Sequence, residues 1–523
     1  MGTSYQMTYT PPMNPAMDEY DLTQTFQDLQ EDLESLDALA ASAQKSLKNF
    51  RVELQKHAAS YQTGSLETVA NILESPLATY EAIHERVESA LARRADWRNM
   101  TDCIALIELK KTIYHELRAL QGISAGIISS LDWQSPSYDH TFTSQAGRQT
   151  GRIFGTVNDY KRDHHVDADI YERAFIGAYV RHPFLAPARA CAMVSGMATF
   201  TTIIESLRGE VGEQDIVLVG ESCYFENKKV LRRVFGERIR WIPEMETEEI
   251  LKAISTHHPR LIFLDTLCNT ESVEMPNLDC LIPAIAKIAP ATTTLILDNS
   301  ALSLTCQPLS LLPSFSKLRV IVFESLNKFH QFGFDRVTGG IAWSVNLDPS
   351  KLFNTRMHFG TNIPNASVLA LPKPNQTLLA RRIARIGRNA SFLAEALDTT
   401  IRSLKSTPLS HIAYPSLSSY TGFAWTKDKG FHGSFFILRF KPDHSRVPVY
   451  EKFLAALMRE ARKSGIDLNA GTSFGFDTTR AYLTAKKAEE DAKPFVRISV
   501  GTESEWEMER LTEVFEKVIE KFK

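Results

Sequence analysis

None of the six cysteines, at 103, 191, 223, 268, 280 and 306, forms a CxxC pair, and none belongs to a dense framework. That spacing excludes a disulfide scaffold and suits a reducing compartment with free thiols. No apolar run reaches the length of a membrane span. Neither sign of charge dominates: the net charge of −3 leaves no footprint for nucleic acid or an anionic membrane. The N-terminus, MGTSYQMTYTPPMNP, has no apolar segment of the secretory kind, and Gln6 stands where a myristoylation motif needs Ser or Thr. Tandem repeats and low-complexity tracts are absent too. A cytosolic chain of 523 residues, long enough for more than one domain, is the expectation.

Three zones differ in pattern. From Phe26 the series Phe26, Leu29, Leu33, Leu36, Ala40, Ala43, Leu47, Phe50 steps by three and four, a helical seam. Ser75-Pro76 reads as the start of a second helix, a cap followed by proline at the first position. A third is expected from Thr101 or Asp102 through Leu120. This all-helical extension, residues 1–145, carries no chemistry of its own and reads as a packing or oligomerisation element. Residues 146–375 alternate helical stretches with short apolar runs at 215–219, 261–264, 294–297 and 320–323. Strands of that kind are buried on both faces, as in a parallel sheet wrapped by helices. Residues 376–523 read as a smaller α+β domain.

Ligands of such sheets gather at the carboxyl ends of the strands. There the sequence puts Asp265 and Asn269 after the second run, Asp298 and Ser300 after the third, and Ser325, Asn327 and Lys328 after the fourth. A lysine and a carboxylate at one sheet edge suit pyridoxal 5'-phosphate. The amine holds its aldehyde as a Schiff base and the carboxylate keeps its ring nitrogen protonated. Taken singly, Asp298 reads equally well as a helix cap, and Lys328 as a salt-bridged surface residue. Ser195-Gly196-Met197 forms a small-residue turn into a helix expected from Thr199 to Leu207, a cradle for phosphate. Tyr224 follows the first strand, where a ring can stack on the cofactor. Arg497, inside an apolar strand, needs an anion, and an amino-acid carboxylate fits its two-pronged geometry.

In this order and spacing the motifs resemble the Cys/Met-metabolism family of fold-type-I pyridoxal-phosphate enzymes, such as cystathionine synthases and lyases and methionine γ-lyase. The resemblance spans about residues 155–520. Tyr160-Lys161-Arg162 is similar to the family's Tyr-x-Arg, which implies that Tyr160 and Arg162 reach a neighbouring subunit's phosphate. Asp265-Thr266 with Asn269 resembles its Glu-Thr/Ser-Pro-x-Asn element near the cofactor's phenolic oxygen. Asp298-Asn299-Ser300 resembles Asp-Asn-Thr, and Ser325-Leu326-Asn327-Lys328 resembles Ser-x-Thr-Lys, with Asp335 in the place of a further family aspartate. Thr472-Ser473-Phe474-Gly475 and the segment Arg497 to Glu503 resemble the last two motifs. The family implies a fold-type-I large domain, Lys328 and Tyr224 as catalytic groups, and Arg497 and Ser473 on the substrate. A homodimer or homotetramer with shared sites is implied as well.

Departures mark the side-chain end of the site. Tyr224-Phe225-Glu226-Asn227 replaces small residues by large and charged ones, so Glu226 becomes a candidate acid or amine-recognition group; otherwise it is a surface glutamate pairing Lys228 or Lys229. Lys373 to Leu378 lacks the family's arginine. A specialised substrate follows from these changes. Two histidine pairs read as decoys. Asp163-His164-His165 spells a metal signature without its strand, and His257-His258 fits a solvated turn, so no metal site is assigned. The expected activity is loss or replacement of a γ, less favourably a β, substituent (sulfur, acyloxy or halide) of an L-amino acid, with alkyne formation a remote variant. An aminotransferase, a β-lyase, or a scaffold presenting its N-terminal helices are the alternatives, and deletion of residues 1 to about 145 is the test that separates scaffold from enzyme.

Overall fold

The computed structural model describes residues 21–57, 64–130, 160–182, 188–486 and 493–523. The expected boundary at 145/146 and the Met1-Gly2 terminus lie outside these residues. Three long helices come first: α1 (Thr23–His57), α2 (Gly64–Ala92) and α3 (Met100–Ser129). The seam of α1 is buried at Leu29, Leu33, Leu36, Ala40 and Leu47. The second helix does not begin at Pro76 but runs through it. Val69, Leu73, Leu77 and Tyr80 continue one buried stripe across the proline, and that packing outweighs the lost backbone bond. Helix α3 starts at Met100, just ahead of the expected Thr101 or Asp102. Asn99 caps it, accepting from the Asp102 N–H at 3.2 Å, while Asp102 answers as the third residue of a capping box.

The large sheet has seven strands in the order β1-β7-β6-β5-β4-β2-β3. They are β1 (Arg189–Met193), β2 (Val217–Gly220), β3 (Ile239–Ile242), β4 (Leu261–Asp265), β5 (Thr294–Asp298), β6 (Arg319–Ser325) and β7 (Gly340–Val345). Within it only β7 runs against the rest. Helices α4 (Val166–Tyr179), α5 (Gly196–Arg208) and α6 (Phe225–Phe235) belong to this region. Strands β1, β3 and β7 escaped the sequence reading. The first two are short and each carries an arginine, and β7 opens on Gly340 and contains Ser344. A second sheet, β10-β11-β12-β9-β8, is built from β8 (Leu409–Ala413), β9 (Phe435–Phe440), β10 (Asn469–Ala470), β11 (Arg480–Thr484) and β12 (Phe495–Ser499). The long helix Gln376–Ser403, capped by Asn375, leads into that region.

This is the expected fold class, a mostly parallel sheet, a smaller α+β part and an all-helical N-terminal part. The helices are not a detachable appendage, however. One apolar core runs from Leu33 of α1 and Leu117 of α3 through Phe329 and Phe334 to Leu295 and Leu297 of β5. No helix among the described residues is long and apolar enough to cross a membrane.

Candidate active site

The strand order brings the carboxyl ends of β4, β5 and β6 side by side, so residues distant in sequence meet at one edge. Asp265 and Asp298 are register partners at the ends of β4 and β5. Asp298 accepts from the Ser300 N–H at 3.0 Å and the Asn227 amide at 3.4 Å. Asp265 accepts only from the Tyr224 N–H, at 2.9 Å, and its Oδ1 has no hydrogen-bond partner. Burial pushes both carboxyls up, and the neighbouring Asp298 adds to the rise of Asp265. With more donors facing it, Asp298 is the better-held carboxylate of the two.

Lys328 stands just beyond β6. Its amine donates to Ser473 Oγ at 2.6 Å and lies 4.8 Å from the centre of the Phe474 ring. Burial and the Arg497 guanidinium lower its pKa to about 8. Gly475 (φ +86°) lets two loops touch here: a Cβ on it would sit 2.9 Å from the Lys328 carbonyl carbon. Ser473, which receives the amine, itself holds a positive φ of 71°, a strained conformation of the kind that persists where neighbours enforce it. In the cofactor-free protein, acylation of Lys328 by an amine-directed reagent is therefore expected to have its midpoint near pH 8. Ordinary lysines titrate at about 10.4. The neutral amine is the reactive form, so labelling rises as the pH climbs through the midpoint. Peptide mass mapping across a pH series checks this, and a midpoint in the ordinary range would refute it.

Arg497 is 4% exposed. It donates to Asn269 Oδ1 at 2.9 Å and to the Ser473 carbonyl at 3.2 Å, while its Nε is buried without a partner. Burial lowers its pKa to about 10, which keeps it a cation at neutral pH. Asn269, expected on the cofactor, is thus engaged with this arginine. Burial, and the Glu226 carboxylate next to it, raise the Tyr224 phenol, so it stays protonated. Glu226 faces Tyr224 in this way, while the Lys228 amine goes to the Glu221 carbonyl.

The turn at 195–197 differs from its expectation by three residues. Helix α5 starts at Gly196, capped by Ser195 Oγ accepting from the Ala198 N–H at 3.0 Å. The first N–H groups of a helix, here those of Gly196 and Met197, have no intrahelical acceptor. A Cβ on Gly196 would sit 3.0 Å from the Ser325 Cβ, so glycine keeps the helix start against the end of β6. Ser300 Oγ accepts from the Ser325 N–H at 2.8 Å, and Asn327 Oδ1 from the Gly339 N–H at 3.0 Å. Tyr160 and Arg162 are exposed, the guanidinium 5.1 Å from the ring centre. His165 caps α4 through Nδ1, and His258 ends a helix with φ +45°.

Several residues around the site gave no signal in the sequence. Behind β6, buried Glu324 accepts from Asn299 at 2.8 Å and Ser303 at 2.9 Å, and meets His330 Nε2 at 2.5 Å. Helix α3 grips the loop that follows Lys328. The Tyr114 hydroxyl donates to the Gly333 carbonyl at 2.6 Å and Arg118 Nε to that of Phe334 at 2.7 Å. Such contacts join residues more than two hundred positions apart, and no local pattern encodes them.

A half-buried lysine, a carboxyl pair, a helix start with free N–H groups and a buried arginine form the donor set that pyridoxal phosphate and an amino acid require. The unpartnered Asp265 Oδ1, Asn227 Oδ1 and Arg497 Nε leave polar capacity for them. Comparison with known proteins agrees. The model of the Cys/Met metabolism PLP-dependent enzymes matches residues 134–512. The bifunctional enzyme flvA of Aspergillus flavus is 26% identical over 316 residues, which are 60% of this chain and 37% of that one, so the chain spans little more than a third of that relative's length. Among solved structures, cystathionine γ-synthase from Xanthomonas oryzae pv. oryzae is 17% identical, with a TM-score of 0.55 over 74% of this chain and 91% of that one. A methionine γ-lyase, CalE6 from Micromonospora echinospora, is 18% identical, with a TM-score of 0.54 over 70% and 89%. These two likenesses concern the fold. With the family model covering most of its length, the chain belongs to the Cys/Met metabolism family of pyridoxal-phosphate-dependent enzymes.

Proposed function

We propose that the protein eliminates or replaces a γ substituent of an L-amino acid, with β chemistry the less favoured outcome. The observation that carries this reading is the Lys328 amine, lowered to a pKa of about 8, beside both Arg497 and Asp298. Ser195, the N–H groups of Gly196 and Met197, Ser325 and the amide of Asn327 would hold the phosphate of the cofactor. Asp298, braced by Ser300, would hold its ring nitrogen, and Tyr224 its ring face. When bound, pyridoxal phosphate supplies an electron sink for negative charge at the substrate Cα.

Arg497 receives the α-carboxylate as a two-pronged, charge-assisted pair, and Asn269 and the Ser473 carbonyl fix the angle of its guanidinium. Lys328 Nζ then removes the Cα proton and next a Cβ proton. A base whose pKa lies near the working pH is suited to both transfers. Ser473 Oγ keeps the amine on one side of the site. The protonated Tyr224 phenol, next to Glu226, can give its proton to the departing γ group. Net elimination consumes water and yields a 2-oxo acid, ammonia and the protonated leaving group. Replacement returns the α-amino acid with a new γ bond. Phe329, Phe334 and Phe474 are buried around Lys328 and limit the entry of water.

Tyr160 and Arg162, exposed on this chain, are proposed to serve a second copy's phosphate in a homodimer or a pair of dimers. The six free thiols suit a cytosolic setting. The division at 1–145, 146–375 and 376–523 is kept as a proposal.

Incubation in D₂O with γ-substituted and plain amino acids, followed by proton NMR, tests the reading. Exchange at both Cα and Cβ is expected. Exchange at Cα alone would instead point to an aminotransferase or β-lyase. No exchange with any amino acid would return attention to the helices as a scaffold.

A further inference from the structure

The site contains a second guanidinium that the steps above do not use. Arg480 lies on β11, opposite Ser499 of β12, and Arg497 lies opposite Tyr482. Directly opposed residues of an antiparallel pair project from the same face, and diagonal neighbours stand about 7–8 Å apart. Arg480 and Arg497 are such a diagonal pair, so both side chains leave the face of the sheet on which Arg497 meets Ser473. Arg480 Nη1 donates to the Thr472 carbonyl at 2.9 Å, one residue from the serine that receives the Lys328 amine. Its guanidinium lies 3.4 Å from the centre of the Phe476 ring, which sets its plane, and its Nε is buried without a hydrogen-bond partner. Asp335 and the Tyr114 phenol are near enough to influence it. Among the described residues, though, no carboxylate approaches either Arg480 or Arg497 to ion-pair distance.

Two arginines thus leave one sheet face beside Lys328, and neither has a carboxylate at ion-pair distance among the described residues. Arg497 is buried and Arg480 half-buried, and cations drawn out of water need counter-charge. One anion, the α-carboxylate, satisfies Arg497. We infer that Arg480 takes a second anionic group at the far end of the substrate side chain, so that the preferred substrate is an amino acid with a distal carboxylate. This rests on the amino-acid reading above and narrows it. A carboxylate is favoured over a neutral acyl or alkyl end because the planar fork of Arg480, held flat by Phe476, offers parallel donors.

Equilibrium binding of L-2-aminoadipate and L-norleucine to the cofactor-loaded protein, read from the visible absorption of the cofactor, tests the inference. The two ligands differ chiefly in a terminal carboxylate against a methyl end. Aminoadipate is expected to bind tighter by roughly tenfold to a hundredfold, the size of a charged hydrogen-bonded contact. Arg480→Gln should bring that ratio close to one while norleucine stays within about twofold, and Arg480→Lys should keep part of the preference. Equal binding of both ligands by the parent protein, or an equal loss for both in Arg480→Gln, would overturn it. Cα exchange measured in the same samples separates the two readings. Exchange with norleucine but no carboxylate preference removes only the role of Arg480; no exchange with either ligand removes the amino-acid reading and this one together.

Discussion

Replacing Lys328 with alanine is expected to lower Cα proton exchange by about a thousandfold or more, the range general-base catalysis commonly supplies. Geometry makes the loss hard to repair. The amine is half-buried, donates to Ser473 Oγ at 2.6 Å, and shares its surroundings with the Arg497 that orients the substrate. No other lysine is placed at this edge by β4, β5 or β6. Lys328→Arg should fare little better, because a guanidinium keeps its proton at neutral pH and cannot act as the base. Added methylamine should restore part of the exchange in Lys328→Ala, since a small amine can enter the space left by the side chain. The measurement is proton NMR in D₂O, with bound cofactor followed separately by absorption. Exchange in Lys328→Ala within tenfold of the parent would show that another group moves the Cα proton.

The second large effect is far from the chemistry. Asp28 of α1 is fully buried, yet it serves four partners. Both of its carboxylate oxygens take Arg388, at 2.9 and 2.6 Å, and Arg385 approaches Oδ1 at 3.0 Å. The Glu505 N–H and the Gln24 amide complete the set at 2.9 Å each. Asp28→Ala would strip Arg388 of its carboxylate, take from Arg385, itself 5% exposed, its only fully buried counter-charge, leaving it Glu31 at 2.9 Å, and remove a bond from the start of the last helix. Breaking one side of a buried pair costs roughly 3–5 kcal/mol, a large part of the about 5–15 kcal/mol that holds a typical domain. Urea unfolding should show the midpoint falling accordingly, and pairing Asp28→Ala with Arg388→Ala should cost less than the two changes added. An unchanged midpoint would mean that water reaches this junction.

That junction also bears on the role of the N-terminal helices. Deleting them would not leave an intact enzyme to assay, since it would uncover Arg385, Arg388 and the apolar faces of Phe332 and Leu378. It would also release the loop after Lys328 from Tyr114 and Arg118. The truncation that looks decisive from sequence therefore confuses folding with function, and single substitutions at the junction are the cleaner test.

What the sequence determined by itself was whatever short spacing can carry. Near-continuous apolar runs marked β2, β4, β5 and β6, and the polar residues just past them, Asp298, Ser325 and Lys328, fell at one edge because parallel strands end together. The heptad-like steps of α1 and the ordered motifs from Tyr160 to Glu503 were equally legible. Only the tertiary structure decided the rest. It put Asn269 on Arg497, joined Ser473 to Lys328 across 145 positions, and brought Arg480 onto the same sheet face as Arg497. It carried α2 through Pro76 because a buried stripe continued on both sides, and it welded α1 and α3 to the core through charges buried in pairs. A strand or a helix is written in neighbours a few residues apart, whereas a buried charge is tolerated only where a distant partner arrives to meet it.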